Sequence, residues 1–297
     1  MMFKKFVIFV GAVLCFNISS AQSKYTFPED YKVLEVLPSK TDSRITESNT
    51  PHLVVYNPTI KQGKLLLFMP GTGGVALKGP KDLFNTAVKQ GYAVINLSYI
   101  NRPAIAQICR KETLEANPDC ASDFRINRIY GTNNFEFTTD KSYDAIVNRL
   151  IKLLEYLSET DKDGNWDSYL EDGNLKWDQI AVSGQSQGGG MAAFIAKEHR
   201  VARVIDFSGG WDFSAKNKLA TWYYNASKTP SHLWYGTYHV TEPMAKVIRA
   251  SYIAMKIPEN HIYPFSLPVP EGKKGHSNGV RNTGYTSQWI ELLGQGN

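Results

Sequence analysis

Hydrophobic and polar positions alternate in two early stretches, YKVLEVLP (31–38) and HLVVYNP (52–58). Period-two alternation places one face of each in a core, so both predict edge strands that end at Pro38 and Pro58. The next stretch, GKLLLFMPGTGG (63–74), is continuously apolar until Pro70 and Gly71. Such a run predicts a strand buried on both faces. PKDLFNTAVKQG (80–91) has helical spacing and a terminal glycine, and YAVINLSYI (92–100) predicts the next buried strand. Helical spacing returns in DKSYDAIVNRLIKLLEYLSE (140–159), where Ile146, Leu150, Leu153, Leu154 and Leu157 form one stripe. Further strands are predicted in IAVS (180–183), VARVIDFSGG (201–210), HLWYGTY (232–238) and HIYPFSLPVP (261–270). Helices are predicted after residue 186, over 241–256 with Pro243 near the start, and over 282–295. Strand and helix alternate, which predicts an α/β fold: one mostly parallel sheet with helices on both faces.

Two segments break this rhythm. Residues 101–137 are polar, mixed in charge and too long for an ordinary connection, so they are read as an insertion. Residues 161–179 form a turn-rich connector. Its Asp161, Asp163 and Asn165 have the spacing of a calcium loop, but the expected glycine and distal glutamate are misplaced, so the metal reading is set aside.

Composition then narrows the class. The chain has 297 residues, 42% hydrophobic and 21% charged, enough for a sizeable core. Its net charge of +5 is mild and Lys and Arg are not clustered, which argues against nucleic acid as a partner. Residues 1–21 run from a basic start (MMFKK) through an 11-residue apolar run to a small-residue end with Ser19 and Ala21. That is the pattern of a cleaved signal peptide, followed by one domain over 22–297. Loss of Lys4 and Lys5 would bring the +5 to +3. No other long apolar run is present, so an exported protein, secreted or periplasmic, without stable membrane insertion is expected. Cleavage would also remove Cys15 and leave Cys109 and Cys120. An even pair in an exported chain predicts one disulfide, stapling the insertion.

The candidate chemistry lies in IAVSGQSQGGGMAAFIA (180–196). Ser186 stands between Gly184 and Gly188, where an apolar strand gives way to a helix rich in small residues. A serine hydroxyl is a weak nucleophile that needs a neighbouring base and an open approach. A tight strand–turn–helix corner supplies the approach, and the helix aims its positive end at the site.

With its G-x-S-x-G turn in this context, the chain resembles the α/β-hydrolase superfamily from about Val33 to Leu293. The resemblance implies an eight-stranded, mostly parallel sheet and a Ser–acid–His triad in that chain order. It implies Ser186 as nucleophile. It implies His276, in the Gly- and Ser-rich EGKKGHSNGV (271–280), as base. His199 reads instead as a helix C-cap and His239 as a pocket-lining residue. For the acid, the loop after HLWYGTY offers Glu242, with Asp212 in SGGWDF as the alternative. The resemblance further implies an oxyanion hole from the Gln187 amide and one amide of MPGTGG (69–74), where Thr72 is the first choice and Gly73 the alternative.

The function expected is hydrolysis of carboxylic esters through an acyl-enzyme, without metal or organic cofactor. Small-molecule or carbohydrate-linked esters are the expected substrates. A peptidase or amidase of the same fold, or a non-catalytic binding module, are the alternatives. Arg125 and Arg128 in the insertion read either as carboxylate anchors or as solvated loop residues.

Overall fold

Eight strands carry the core: β1 (Lys32–Val36), β2 (His52–Tyr56), β3 (Leu65–Met69), β4 (Ala93–Asn96), β5 (Ile180–Gln185), β6 (Arg203–Phe207), β7 (Trp234–His239) and β8 (Ile262–Phe265). The structure is a computed structural model and describes residues 26–297 except 62, 133–134 and 139. The signal peptide expected over 1–21 lies outside the described residues. The strands form one sheet in the order β1-β2-β4-β3-β5-β6-β7-β8. β2 runs antiparallel to β1 and β4, and every other pairing is parallel.

The continuous apolar runs fill both faces of this sheet. In β3, Leu65, Leu67 and Met69 enter one core while Leu66 and Phe68 enter the other. β2 is a correction: all five of its residues are buried, and it sits inside the sheet, not at its edge. Val54 and Tyr56 face one core, Leu53 and Val55 the other. The period-two pattern therefore marked two apolar faces here instead of an apolar and a wet one.

Among the described residues, seven helices of seven or more residues flank the sheet: α1 (Lys81–Lys89), α2 (Cys120–Tyr130), α3 (Ile146–Thr160), α4 (Gln187–Glu198), α5 (Ala245–Ala254), α6 (Gly275–Arg281) and α7 (Thr286–Leu293). α2, α3, α4 and α5 contribute to the core that holds Leu67, and α1 and α7 to the core that holds Phe68. The predicted α3 stripe is buried as a unit. The result is the eight-stranded α/β-hydrolase architecture expected from the sequence.

The insertion is helical where a polar loop was expected. Two single turns, Ile105–Ile108 and Glu112–Ala116, lead into α2, and a disulfide joins Cys109 to Cys120. Arg125 and Arg128 lie on the inner side of α2, each 1% exposed. Arg125 pairs with Asp212, and Arg128 with Asp140 and the Ile100 carbonyl. Neither is a substrate anchor nor a solvated loop residue. In the connector, Asp161 is occupied by the Tyr56 hydroxyl, the Trp166 indole at 2.9 Å and Lys32, so its carboxylate serves packing.

Candidate active site

The turn from β5 to α4 places Ser186 at the helix N-cap with φ 57° and ψ −119°, a left-handed backbone unusual for a residue with a side chain. The strain sits on the serine. Gly184 and Gly188 have ordinary φ values and are required by crowding: a Cβ on Gly188 would lie 2.0 Å from the Met69 carbonyl oxygen, and one on Gly184 2.4 Å from the Gly188 carbonyl carbon. Both glycines let α4 close onto the end of β3. The Ser186 amide donates to the Phe207 carbonyl at 2.8 Å, so β6 holds the corner.

His276 is the second residue of α6, where a loop was expected. Its Nδ1 hydrogen-bonds Glu242 Oε2 at 2.5 Å. A carboxylate can only accept, so Nδ1 carries the hydrogen of the neutral ring and Nε2 keeps its lone pair. Glu242 precedes α5 in a tight turn closed by its amide on the His239 carbonyl at 3.0 Å. Its other oxygen accepts from the Ser208 hydroxyl at 2.7 Å and the His239 amide at 2.6 Å. The Glu242 side chain is 1% exposed, and three donors stabilise its charge there. Trp211 stacks on the His276 ring, with centroids 5.0 Å apart at 27°.

Asp212, the alternative acid, is committed elsewhere. Its carboxylate takes Arg125 Nε at 2.6 Å, Arg125 Nη2 at 2.8 Å and the Trp222 indole at 2.9 Å. His239 is buried and bonded through both ring nitrogens, to Thr241 Oγ1 at 2.8 Å and the Leu267 carbonyl at 2.9 Å, so it lines no open cavity. His199 follows α4 at its C-cap and stacks on Trp177.

The loop after β3 is held from the insertion. Asn101 Oδ1 accepts the Gly73 amide at 3.0 Å, and its Nδ2 donates to the Gly74 carbonyl at 2.8 Å. The Gly73 amide is thereby engaged, which removes the alternative oxyanion donor. Gln187, the residue after Ser186, donates through Nε2 to the Asn101 carbonyl at 3.0 Å and accepts the Ile105 amide at 3.0 Å. Tyr99 donates to the Pro70 carbonyl at 2.7 Å. One chain of contacts therefore joins the Ser186 corner, the Gly-rich loop and the start of the insertion.

Ser186, His276, Trp211 and the loop from Pro70 to Gly74 line one open cavity of about 600 Å³. Among the described residues no hydrogen bond joins Ser186 to His276; the two meet as walls of this cavity. Beneath the corner, Asp206 of β6 is fully buried, and burial pushes its carboxyl up to about 7. It accepts the Gly209 amide at 2.8 Å.

The roles of Trp211, Ser208 and Asn101 were not read from the sequence. Trp211 and Ser208 both lie in SGGWDF, beside the candidate acid Asp212. Ser208, which like Ser186 has a positive φ (56°), gives no signal in composition or periodicity.

No protein-family model matches the chain. No curated protein matches it either. Solved structures similar to it include an esterase from Pyrococcus furiosus, at 12% identity and TM-score 0.47, covering 89% of each chain. An S-formylglutathione hydrolase from Staphylococcus aureus aligns at 14% identity and TM-score 0.46, over 91% of this chain and all of that one. A dienelactone hydrolase from Anabaena variabilis aligns at 13% identity and TM-score 0.44, over 88% of this chain and 98% of that one.

Proposed function

We propose that the protein is a serine hydrolase that cleaves carboxylic esters. The observation that carries this reading is the Glu242–His276 bond at 2.5 Å, on the wall of the cavity where Ser186 stands at a strained corner. Glu242 fixes the ring with Nε2 as base. Nε2 takes the Ser186 proton as Oγ attacks the acyl carbon. The Gln187 and Thr72 amides hold the developing oxyanion, since the Gly73 amide is bound to Asn101. His276 then gives its proton to the leaving alcohol. A water activated by the same nitrogen releases the acid and restores Ser186.

The cavity has room for small-molecule or carbohydrate-linked esters. The Cys109–Cys120 disulfide suits work outside the reducing cytoplasm, which accords with export after cleavage at residue 21. No helix among the described residues is long and apolar enough to cross a membrane.

The test is hydrolysis of p-nitrophenyl acetate by the protein and its Ser186→Ala variant. Turnover is expected to vanish in the variant with thermal unfolding unchanged, and a fluorophosphonate probe is expected to label only the parent. Turnover that survives the substitution would refute the reading. An unlabelled, inactive but folded parent would leave a binding module.

A further inference from the structure

A second, larger cavity of about 1000 Å³ adjoins the site. Its wall is linked to the proposed machinery at several points. Trp211 lines both cavities and stacks on His276. Ile105 lines it and donates its amide to Gln187, the residue after Ser186. Met244 lines it two residues after Glu242. The remaining floor is apolar, with Leu114 and Phe213 prominent, and the disulfide closes one side through Cys109. Exposed charged side chains of both signs from the 110–115 and 215–217 segments also line it, so its charge does not favour an ionic occupant.

We propose that this cavity is a subsite for the long apolar arm of the ester, and that the disulfide-stapled insertion is the wall that sizes it. The inference rests on the functional reading above. A carbonyl seated at Ser186 leaves two directions for its substituents. One of them passes Trp211 into a volume far larger than an acetyl group needs. Desolvating an alkyl or aryl arm there favours long esters over short ones. The carbonyl chemistry at Ser186 is unchanged, so the cavity sorts substrates without taking part in the reaction.

The experiment fills the cavity from two separate segments, with Ala106→Trp in the first turn of the insertion and Ala215→Trp after Phe213. Both alanines line the cavity and are exposed, so added bulk enters space and not packed core. Three esters are compared: p-nitrophenyl acetate, p-nitrophenyl octanoate and octyl acetate. The parent is expected to prefer at least one long ester over p-nitrophenyl acetate by about tenfold in kcat/KM. Each variant is expected to lose that preference while p-nitrophenyl acetate stays within about twofold. Loss with octanoate places the acyl arm in the cavity, and loss with octyl acetate places the alcohol arm there. A long-ester preference retained in a folded variant, or equal losses on short and long esters, overturns the inference. If the parent shows no Ser186-dependent turnover of p-nitrophenyl acetate, the functional reading fails first and this one with it.

Discussion

Glu242→Gln separates the roles of the two acidic candidates. One oxygen of Glu242 faces the His239 amide at 2.6 Å, a donor that cannot reverse. In the variant the glutamine oxygen must stay on that side, which turns its NH2 toward His276. The ring can meet an NH2 there only as an acceptor at Nδ1. The hydrogen then moves to Nε2, and the base that Ser186 needs is lost. Tautomer inversion of this kind costs about a thousand- to ten-thousandfold in kcat, with little change in KM. Stability should fall by only about 1–3 kcal/mol, the worth of charge-assisted hydrogen bonds exchanged for neutral ones. Asp212→Asn should do the reverse. It leaves the Arg125 guanidinium, 1% exposed, without its carboxylate, at about 3–5 kcal/mol. At about 2–4 °C per kcal/mol in a chain of this size, unfolding should shift down by about 10 °C. Activity per folded molecule should stay near the parent's. The assays are steady-state p-nitrophenyl acetate hydrolysis per mole of folded protein, and thermal unfolding by circular dichroism. An active Glu242→Gln protein beside a folded, inactive Asp212→Asn protein would refute the assignment.

Two further outcomes follow from buried contacts. Gly188→Ala should destabilise the fold by about 3 kcal/mol or more, because its Cβ would strike the Met69 backbone; Gly173→Ala, with φ 74° and open space around it, should cost about 1 kcal/mol. Denaturant unfolding of both variants checks this, and equal losses would count against it. Asp206 gives a pH signature: its folded carboxyl titrates at about 7, whereas an unfolded aspartate titrates near about 3.9. The native state thus holds the extra proton between those values, and stability falls as pH rises through that window, levelling off above it. Asp206→Asn removes the penalty, so its unfolding temperature should exceed the parent's at pH 8 and approach it at pH 4; an equal difference at both pH values would argue against the burial account.

Much of the sheet was legible because its strands are short apolar runs bounded by proline and glycine. β3 and β5 announced themselves in this way. β2 was placed in the sheet but on the wrong part of it, since HLVVY reads the same whether one or two faces are dry. The serine corner was legible as a local pattern, and its glycines answer the crowding where α4 closes onto the end of β3. The Glu242–His276 pairing rested on the family resemblance, as the two lie 34 residues apart and no local signal links them. The insertion was misread where it matters most. A helix that hides two arginines has the composition of a solvated loop, and only Asp212 and Asp140, distant in sequence, show why the charges are inside.

The Gln187 side chain has a consequence for how such a chain can diverge. It reaches the Asn101 carbonyl and the Ile105 amide, and Asn101 in turn carries Gly73 and Gly74. The first five residues of the insertion therefore brace the serine corner, the segment from Ala106 to Glu115 supplies the pocket wall, and α2 belongs to the core. A graft that exchanges 106–119 for another segment and keeps Cys109 retains this brace, the disulfide and the buried Arg125–Asp212 and Arg128–Asp140 pairs, and offers a new pocket wall beside an unchanged corner. A graft that begins at 101 removes the support of the Gly-rich loop along with the wall. The seam between what can vary and what must stay runs through the insertion itself, one helical turn after it starts.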